Sequence, residues 1–300
     1  ILERLGVWEA LAVTATPIRN IHVSQRGGFG RVGLDAAETG VPELGYVVDY
    51  TRLSQALEQA VLESGTVCRQ GARVHAWQGG NPARVSYELA GVMQELEAAV
   101  LVIADGGAVS DAASTDYLQS AVTARVVSER PHNNTAYERF TCDGPLALLP
   151  DGDAWALVWT TTPARAHELC AADESVFLAA LQEAFGQRAG RFTAVAGRAS
   201  HALYRRRANA TAEHVVLIGN AAQTLHPVAG QGFNLGLRDA WELAGHILDS
   251  ASGTPGSAAW LQAYRNRRRI DRGGGIGFTH GLVSLFSNDL LPLRLLRGTG

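Results

Sequence analysis

Three hundred residues, 46% hydrophobic and 18% charged with 33 glycines, suit one large or two modest globular domains and exclude a disordered chain. A formal net charge of −3 lacks the basic excess of a nucleic-acid binder, and no apolar run approaches the roughly 20 uncharged residues of a membrane helix, so membrane contact would be peripheral. Cys68, Cys142 and Cys170 are widely spaced without a C-x-x-C pair, which suggests neither a disulfide framework nor a zinc site and fits a reducing cytoplasm.

The chain opens on Leu2, Leu5, Trp8 and Leu11, whose three-residue spacing predicts a helix from the first residues onward. Ile18–Val23 and Arg31–Asp35 predict the strands of a hairpin. Between them, Gly28-Phe29-Gly30-Arg31-Val32-Gly33 satisfies G-x-G-x-x-G literally. Arg26-Gly27 stands where a buried strand should end, however, and Gly40 and Pro42 close the segment too soon for a packing helix. These glycines are therefore assigned to a turn or bulge. Gly45–Asp49 predicts a further strand, and Arg52, Leu53, Ala56, Leu57, Ala60 and Val61 give a helical face over about 51–64, ended by Gly65.

Ala99–Ala104 is a continuous apolar run stopping at Asp105-Gly106-Gly107, the pattern of a central strand opening into a turn. From about residue 121 to 161 the pattern changes to alternation. Tyr137–Thr141, Pro145–Leu149 and Trp155–Thr161 are separated by Asp143-Gly144 and Asp151-Gly152-Asp153, which predicts an antiparallel meander. Trp155, Leu157 and Trp159 share one face by period two and are expected to pack against a helix; the functional alternative makes this sheet the wall of an apolar substrate pocket. Val176–Phe185, with Phe177, Leu178, Leu181 and Phe185 on a stripe, is the helix expected to lie on that sheet. Arg205-Arg206-Arg207 predicts a solvated crossing.

Val215–Ile218 is a short β-branched run ending in Gly219-Asn220, a buried strand stopped by a tight turn. A loop punctuated by Pro227, Gly230 and Gly232 follows, and from about Phe233 the residues Leu237, Ala240, Trp241, Ala244 and Leu248 fall on one helical face. Gly230 and Gly232 flank Gln231 at the helix mouth, where the absence of Cβ lets a ligand approach the backbone. Unpaired first-turn amides and the helix dipole favour an anion or an electron-rich carbonyl edge there. A bare G-x-G is more often a glycine-eased turn between a core strand and a packing helix. The tail is expected to continue as helix through Trp260 to Arg272, presenting Arg265, Arg267, Arg268, Arg269 and Arg272 as a solvated basic face that would also suit an anionic membrane or a protein partner.

The length of the motif decides the matter. Gly219-Asn220-Ala221-Ala222, His226-Pro227 and Gly230-Gln231-Gly232-Phe233-Asn234-Leu235-Gly236 closely resemble the second flavin motif of the para-hydroxybenzoate-hydroxylase-like FAD monooxygenases. Within that family, Asn220-Ala221-Ala222-Gln223 followed by Thr224-Leu225-His226-Pro227 is most similar to the 2-polyprenyl-6-methoxyphenol hydroxylases of ubiquinone biosynthesis. Asp105-Gly106 with Ser110 resembles the family's middle motif. The resemblance implies a cofactor site of Asp105, Gly106, Gly219, Asn220, Ala221, His226, Pro227, Gly230, Gln231, Gly232, Phe233 and Asn234. In it, Gly219-Asn220 would lie along the FAD ribityl and pyrophosphate, and the amides after Gly230 would face the flavin pyrimidine edge. The family usually has Asp where this chain has Asn220, so hydrogen bonding is kept and a charge is lost.

The implied architecture is α/β (α+β): a Rossmann-like FAD-binding domain of 1–17, 50–117 and 213–250, an antiparallel-sheet substrate domain of 18–49 and 118–212, and a C-terminal helical region of 251–300. Family members begin with a strand, a G-x-G-x-x-G turn and a helix holding the ADP half of FAD, so such a unit is expected upstream of Ile1. No acid–base pair, activated nucleophile or metal cluster stands out, and the resembled enzymes need none because the cofactor carries the reaction. The implied activity is hydroxylation of the aromatic ring of a polyprenyl phenol through a flavin hydroperoxide, with O2 as co-substrate and NAD(P)H as electron donor, in the cytoplasm or peripheral to the inner membrane. The alternatives are a family hydroxylase acting at another ring position or on a small soluble phenol, and a non-catalytic flavin-fold scaffold in a biosynthetic complex.

Overall fold

The computed structural model describes residues 1–27, 31–106, 113–208, 211–224, 231–249 and 254–269. Two compact units emerge: Val61–Asp116 with the described residues from Tyr204 onward, and Leu2–Ala60 with Tyr117–Leu203. The second unit therefore takes in all of 2–60, which the sequence divides at 17 and 50 on grounds of family function.

The second unit begins with a turn, not a helix. Gly6 sits at φ 72°, so the regular helix α1 is confined to Trp8–Ala12. Its Val7 and Leu11 pack against Leu53 of α3, Tyr50–Glu63, which starts where Asp49 Oδ1 accepts the Arg52 N–H at 2.9 Å. Strands β1 (Thr16–Ile18) and β4 (Gly45–Val47) pair antiparallel, and β2 (Asn20–Gln25) and β3 (Arg31–Asp35) form the expected hairpin, with Gly28, Phe29 and Gly30 outside the described residues. A short helix the sequence did not announce, α2 (Ala36–Thr39), is capped by Asp35, which accepts the Ala37 N–H at 2.7 Å.

The main sheet of this unit runs β13 (Phe192–Arg207), β9 (Ala113–Ser128), β12 (Ala154–Thr161), β11 (Gly144–Asp151), β10 (Thr135–Thr141), β2, β3. β9, β12, β11 and β10 are successively antiparallel, but β2 joins β10 in parallel, with Tyr137 opposite His22. Trp155, Leu157 and Trp159 are buried under α5 (Glu174–Phe185) and α4 (Pro163–Ala171), whose Phe177, Leu181 and Leu169 fill the same core, so the packing expectation holds. Pro163 opens α4, and Thr162 Oγ1 accepts the Arg165 N–H at 3.3 Å. Burial of each such aromatic or aliphatic side chain contributes about 1.5–3 kcal/mol. The backbone of Arg205-Arg206-Arg207 ends β13, and Arg206 and Arg207 pair with β16 (Gln223–Thr224) in the first unit.

In the first unit, β5 (Arg73–Gln78), β6 (Ala83–Leu89) and β7 (Val92–Ala98) form an antiparallel meander. The apolar run at Ala99–Ala104 is shorter as a strand than it looks: β8 covers Leu101–Ile103, after a bend at 99–100. It pairs in parallel with β15 (Val215–Leu217), which β14 (Thr211–Ala212) flanks antiparallel. Among the described residues, two helices complete the unit, α6 (Gln231–Leu248) and α7 (258–269). They are separate, contrary to the expectation of one continuous tail helix. The mixed α/β class with a Rossmann-like parallel pair agrees with the sequence.

Candidate cofactor site

Parallel strands end side by side, and in open α/β sheets ligands lie beyond those carboxyl ends. Here Val215, Val216 and Leu217 pair with Leu101, Val102 and Ile103, and the Ile218 N–H continues the ladder to the Ile103 carbonyl at 3.0 Å. The two strands therefore deliver Asp105-Gly106 and Gly219-Asn220 to one edge. Gly106 has φ 73° and Gly219 φ 58°, conformations that a Cβ disfavours. A Cβ built on Gly106 would stand 3.6 Å from the Cβ of Asn220, so the two turns are in contact. Gly219–Ala221 forms a single 3-10 turn, closed by the Ala222 N–H to the Gly219 carbonyl at 3.1 Å.

α6 is packed on this turn, backbone against backbone. A Cβ on Gly236 would lie 3.3 Å from the Gly219 Cα, tighter than an ordinary contact. The N-terminal residues Gln231, Gly232, Phe233 and Asn234 lie one turn before that contact, with Phe233 and Asn234 exposed, as are Asp105, Gly106 and Asn220. His226, Pro227 and Gly230 lie outside the described residues. Of the expected site, the structure thus brings Asp105, Gly106, Gly219, Asn220 and Ala221 together next to the helix that begins at Gln231. Two turns whose positive φ at Gly106 and Gly219 favours glycine, beside a helix mouth at the carboxyl ends of parallel strands, form a cradle that fits a nucleotide cofactor such as FAD.

The buried face of α6 differs from the expected one. Leu237, Ala240, Trp241, Ala244 and Leu248 do not form it: Ala240, Ala244 and Leu248 are exposed, and the buried positions are Leu235, Asp239, Leu243 and His246. Two of these four are polar, so a search for apolar periodicity rotates the helix onto the wrong side. Both polar groups are satisfied in place. His246 Nε2 bonds the Trp260 carbonyl at 2.9 Å, and its ring lies 4.3 Å from that of Trp260. Asp239 Oδ2 accepts the Gly219 N–H at 3.1 Å and Oδ1 accepts Nε of Arg268 at 2.8 Å.

Arg268 corrects the picture of a wholly solvated basic face: it is 0% exposed and pairs with Asp239, also 0% exposed. Trp260, Tyr264 and Arg268, four residues apart, form the inward stripe of α7. Asp239 and Arg268 are the site-supporting residues the sequence did not yield, whereas Gly236 stood at the end of the motif. For Asp239 the one available signal was a carboxylate three residues beyond the last motif glycine. Among the described residues, no group of three or more His, Cys, Asp or Glu is placed to hold a metal ion.

Comparison with known proteins agrees with this geometry. The chain is 34% identical to the ubiquinone hydroxylase UbiL of Rhodospirillum rubrum, over all of this chain and 72% of that protein. It is 33% identical to the 3-demethoxyubiquinol 3-hydroxylase of Escherichia coli, over all of this chain and 79% of that one. Among solved structures, the p-nitrophenol 4-monooxygenase PnpA from Pseudomonas putida shares the fold with a TM-score of 0.74, at 16% identity over 99% of this chain and 79% of that one. Residues 1–272 match the FAD binding domain family, and the chain belongs to it.

Proposed function

We propose that this protein is an FAD-dependent monooxygenase that hydroxylates the aromatic ring of a polyprenyl phenol in ubiquinone biosynthesis, using O2 and taking electrons from NAD(P)H. The observation that carries the reading is the contact between the Asp105-Gly106 and Gly219-Asn220 turns beneath α6, together with full-chain similarity to ubiquinone ring hydroxylases. Bound FAD supplies the redox chemistry that activates O2 for ring hydroxylation. The chain's own residues bind and orient. The Gly106 and Gly219 turns let the cofactor approach the backbone, Asn220 offers an amide to the ribityl, and the first-turn amides of α6 favour electron density at the flavin's carbonyl edge. His226, Pro227 and Gly230 are assigned to the same site from the motif.

We assign 1–17, 50–117 and 213–250 to cofactor binding, 18–49 and 118–212 to substrate binding, and 251–300 to the C-terminal region. The sheet face opposite Trp155, Leu157 and Trp159 offers Ala147 and Val158 as apolar wall for a phenol and its prenyl tail. No helix among the described residues is long and apolar enough to cross a membrane. A lipid-tailed substrate is reached most simply from a cytoplasmic protein in peripheral contact with the inner membrane, by itself or in a biosynthetic complex.

The test is direct. The intact protein is purified, its released chromophore identified by chromatography, and NAD(P)H and O2 consumption followed with and without a prenylated phenol, with product mass as the readout. FAD in the protein and a product heavier by one oxygen support the assignment. Colourless protein, or NAD(P)H oxidation without hydroxylated product, sinks it.

A further inference from the structure

A carboxylate with no place in the motif holds the centre of the cofactor corner. Asp239, in the third turn of α6, accepts the Gly219 N–H at 3.1 Å through Oδ2 and the Arg268 Nε at 2.8 Å through Oδ1. Tyr264, one turn before Arg268 on α7, donates its hydroxyl to the Asp239 carbonyl at 3.3 Å. One residue thus ties together the end of β15, the body of α6 and α7. Both charged side chains are fully buried.

A buried ion pair is weak evidence for stability, because apolar residues of like volume often replace one without loss. What an apolar residue cannot do is accept an amide proton. That amide belongs to the residue at φ 58° that opens the Gly219–Ala221 turn, and Gly236 stands close enough to it that an added Cβ there would lie 3.3 Å from the Gly219 Cα. Arg268 completes the device. An unpaired carboxylate at this depth would oppose a pyrophosphate nearby, whereas the paired one keeps its hydrogen bond and cancels its charge.

We infer that Asp239, neutralised by Arg268, is a positioning residue for FAD: it fixes the Gly219–Ala221 turn in its cofactor-accepting form without touching the cofactor. This rests on the proposed FAD site. The intact protein is stripped to apoprotein, and FAD binding is titrated by quenching of flavin fluorescence, with visible circular dichroism of the bound flavin and thermal melting of the apoprotein read alongside. D239L/R268M removes both charges and keeps bulk. We expect its apoprotein to melt within a few degrees of wild type, while FAD binds about 10- to 100-fold more weakly, the loss expected for one charged-acceptor hydrogen bond.

R268K, which keeps the charge and loses the fixed Nε geometry, is expected to fold, to bind FAD with intermediate affinity and to show altered visible dichroism. It decides the matter if the double variant fails to fold. Wild-type affinity and dichroism in whichever variants fold overturn the positioning role alone. Wild-type protein that takes up no FAD overturns the cofactor assignment, and the positioning role with it.

Discussion

The two units are built on opposite economies of side chain. In the second unit, the sheet and its helices are joined by bulk: Trp155, Leu157, Trp159, Phe177 and Leu181 fill one core, and the ring of Phe177 meets Trp159 edge-on at 6.3 Å. In the first unit, the close contacts are made where side chains are missing, at Gly106, Gly219 and Gly236, and the carboxylate of Asp239 holds the Gly219 N–H. Bulk spreads its contribution over many contacts, so a lost atom costs stability in proportion. Backbone contact has no such gradation. A single methyl in the wrong place blocks the approach of a ligand while barely touching the core.

The largest effect should come from the first kind of region. Trp155 is 2% exposed, with its indole N–H donating to Ser128 Oγ at 2.8 Å. Trp155→Ala should cost about 3–5 kcal/mol of unfolding free energy, measured by urea denaturation. Below the transition, its FAD affinity should stay at the wild-type value; a parallel loss of FAD binding would erase the distinction between the two regions.

Next in size is a pH effect on the other face of the same sheet. Glu138 alternates with Tyr137 and so faces away from α4 and α5, between Ala147 on β11 and Val23 on β2. Burial raises its carboxyl from 4.5 to about 7. The folded state therefore holds a proton the unfolded state has released, and stability falls as pH rises from 4.5 through about 7, with the full contribution present only below 4.5. The shift corresponds to at most about 3 kcal/mol, reduced by the side chain's partial contact with water. Wild-type and Glu138→Gln melting curves should diverge across that window, the variant losing less on going to pH 8. Parallel curves would show that Glu138 keeps its water in the folded state.

Legibility followed the same divide. The strand and turn at 215–220 were readable because a β-branched run stopped by Gly-Asn has few alternatives, and the Trp155 face was readable because period two and burial coincide. The meander β5–β7 was not readable. Its first strand is exposed throughout, and its neighbours are laced by charge pairs such as Arg84–Glu97 at 2.8 Å, so no apolar alternation marks it. The α6 face was misjudged because Asp239 and His246 occupy buried positions usually given to Leu. Arg268 was hidden among the surface arginines of α7, one of which, Arg267, does sit at the surface, paired with Asp249 at 3.0 Å. Partners on a different helix decide which arginine is buried, and local sequence carries no record of them. The site glycines stood out only through the length of their motif.

The smallest expected change in stability is also the sharpest separation of the two regions. Gly236 lies inside α6, where Ala is favoured over Gly by about 1 kcal/mol, so Gly236→Ala should leave the melt unchanged or raise it. Its new methyl would stand 3.3 Å from the Gly219 Cα, and the atom that must yield is backbone. A shift of a few tenths of an ångström in the Gly219 turn strains its hydrogen bond to Asp239, and FAD affinity should fall by roughly 10-fold, about 1.4 kcal/mol. Core logic predicts the reverse, since a helix that gains an alanine should hold everything attached to it more firmly. Titration of the apoprotein with FAD, beside a thermal melt of the same sample, decides between them. A variant that melts higher and binds FAD as tightly as wild type would mean that the turn adapts to its neighbour, and that the close backbone approach follows from the fold without being a condition of cofactor binding.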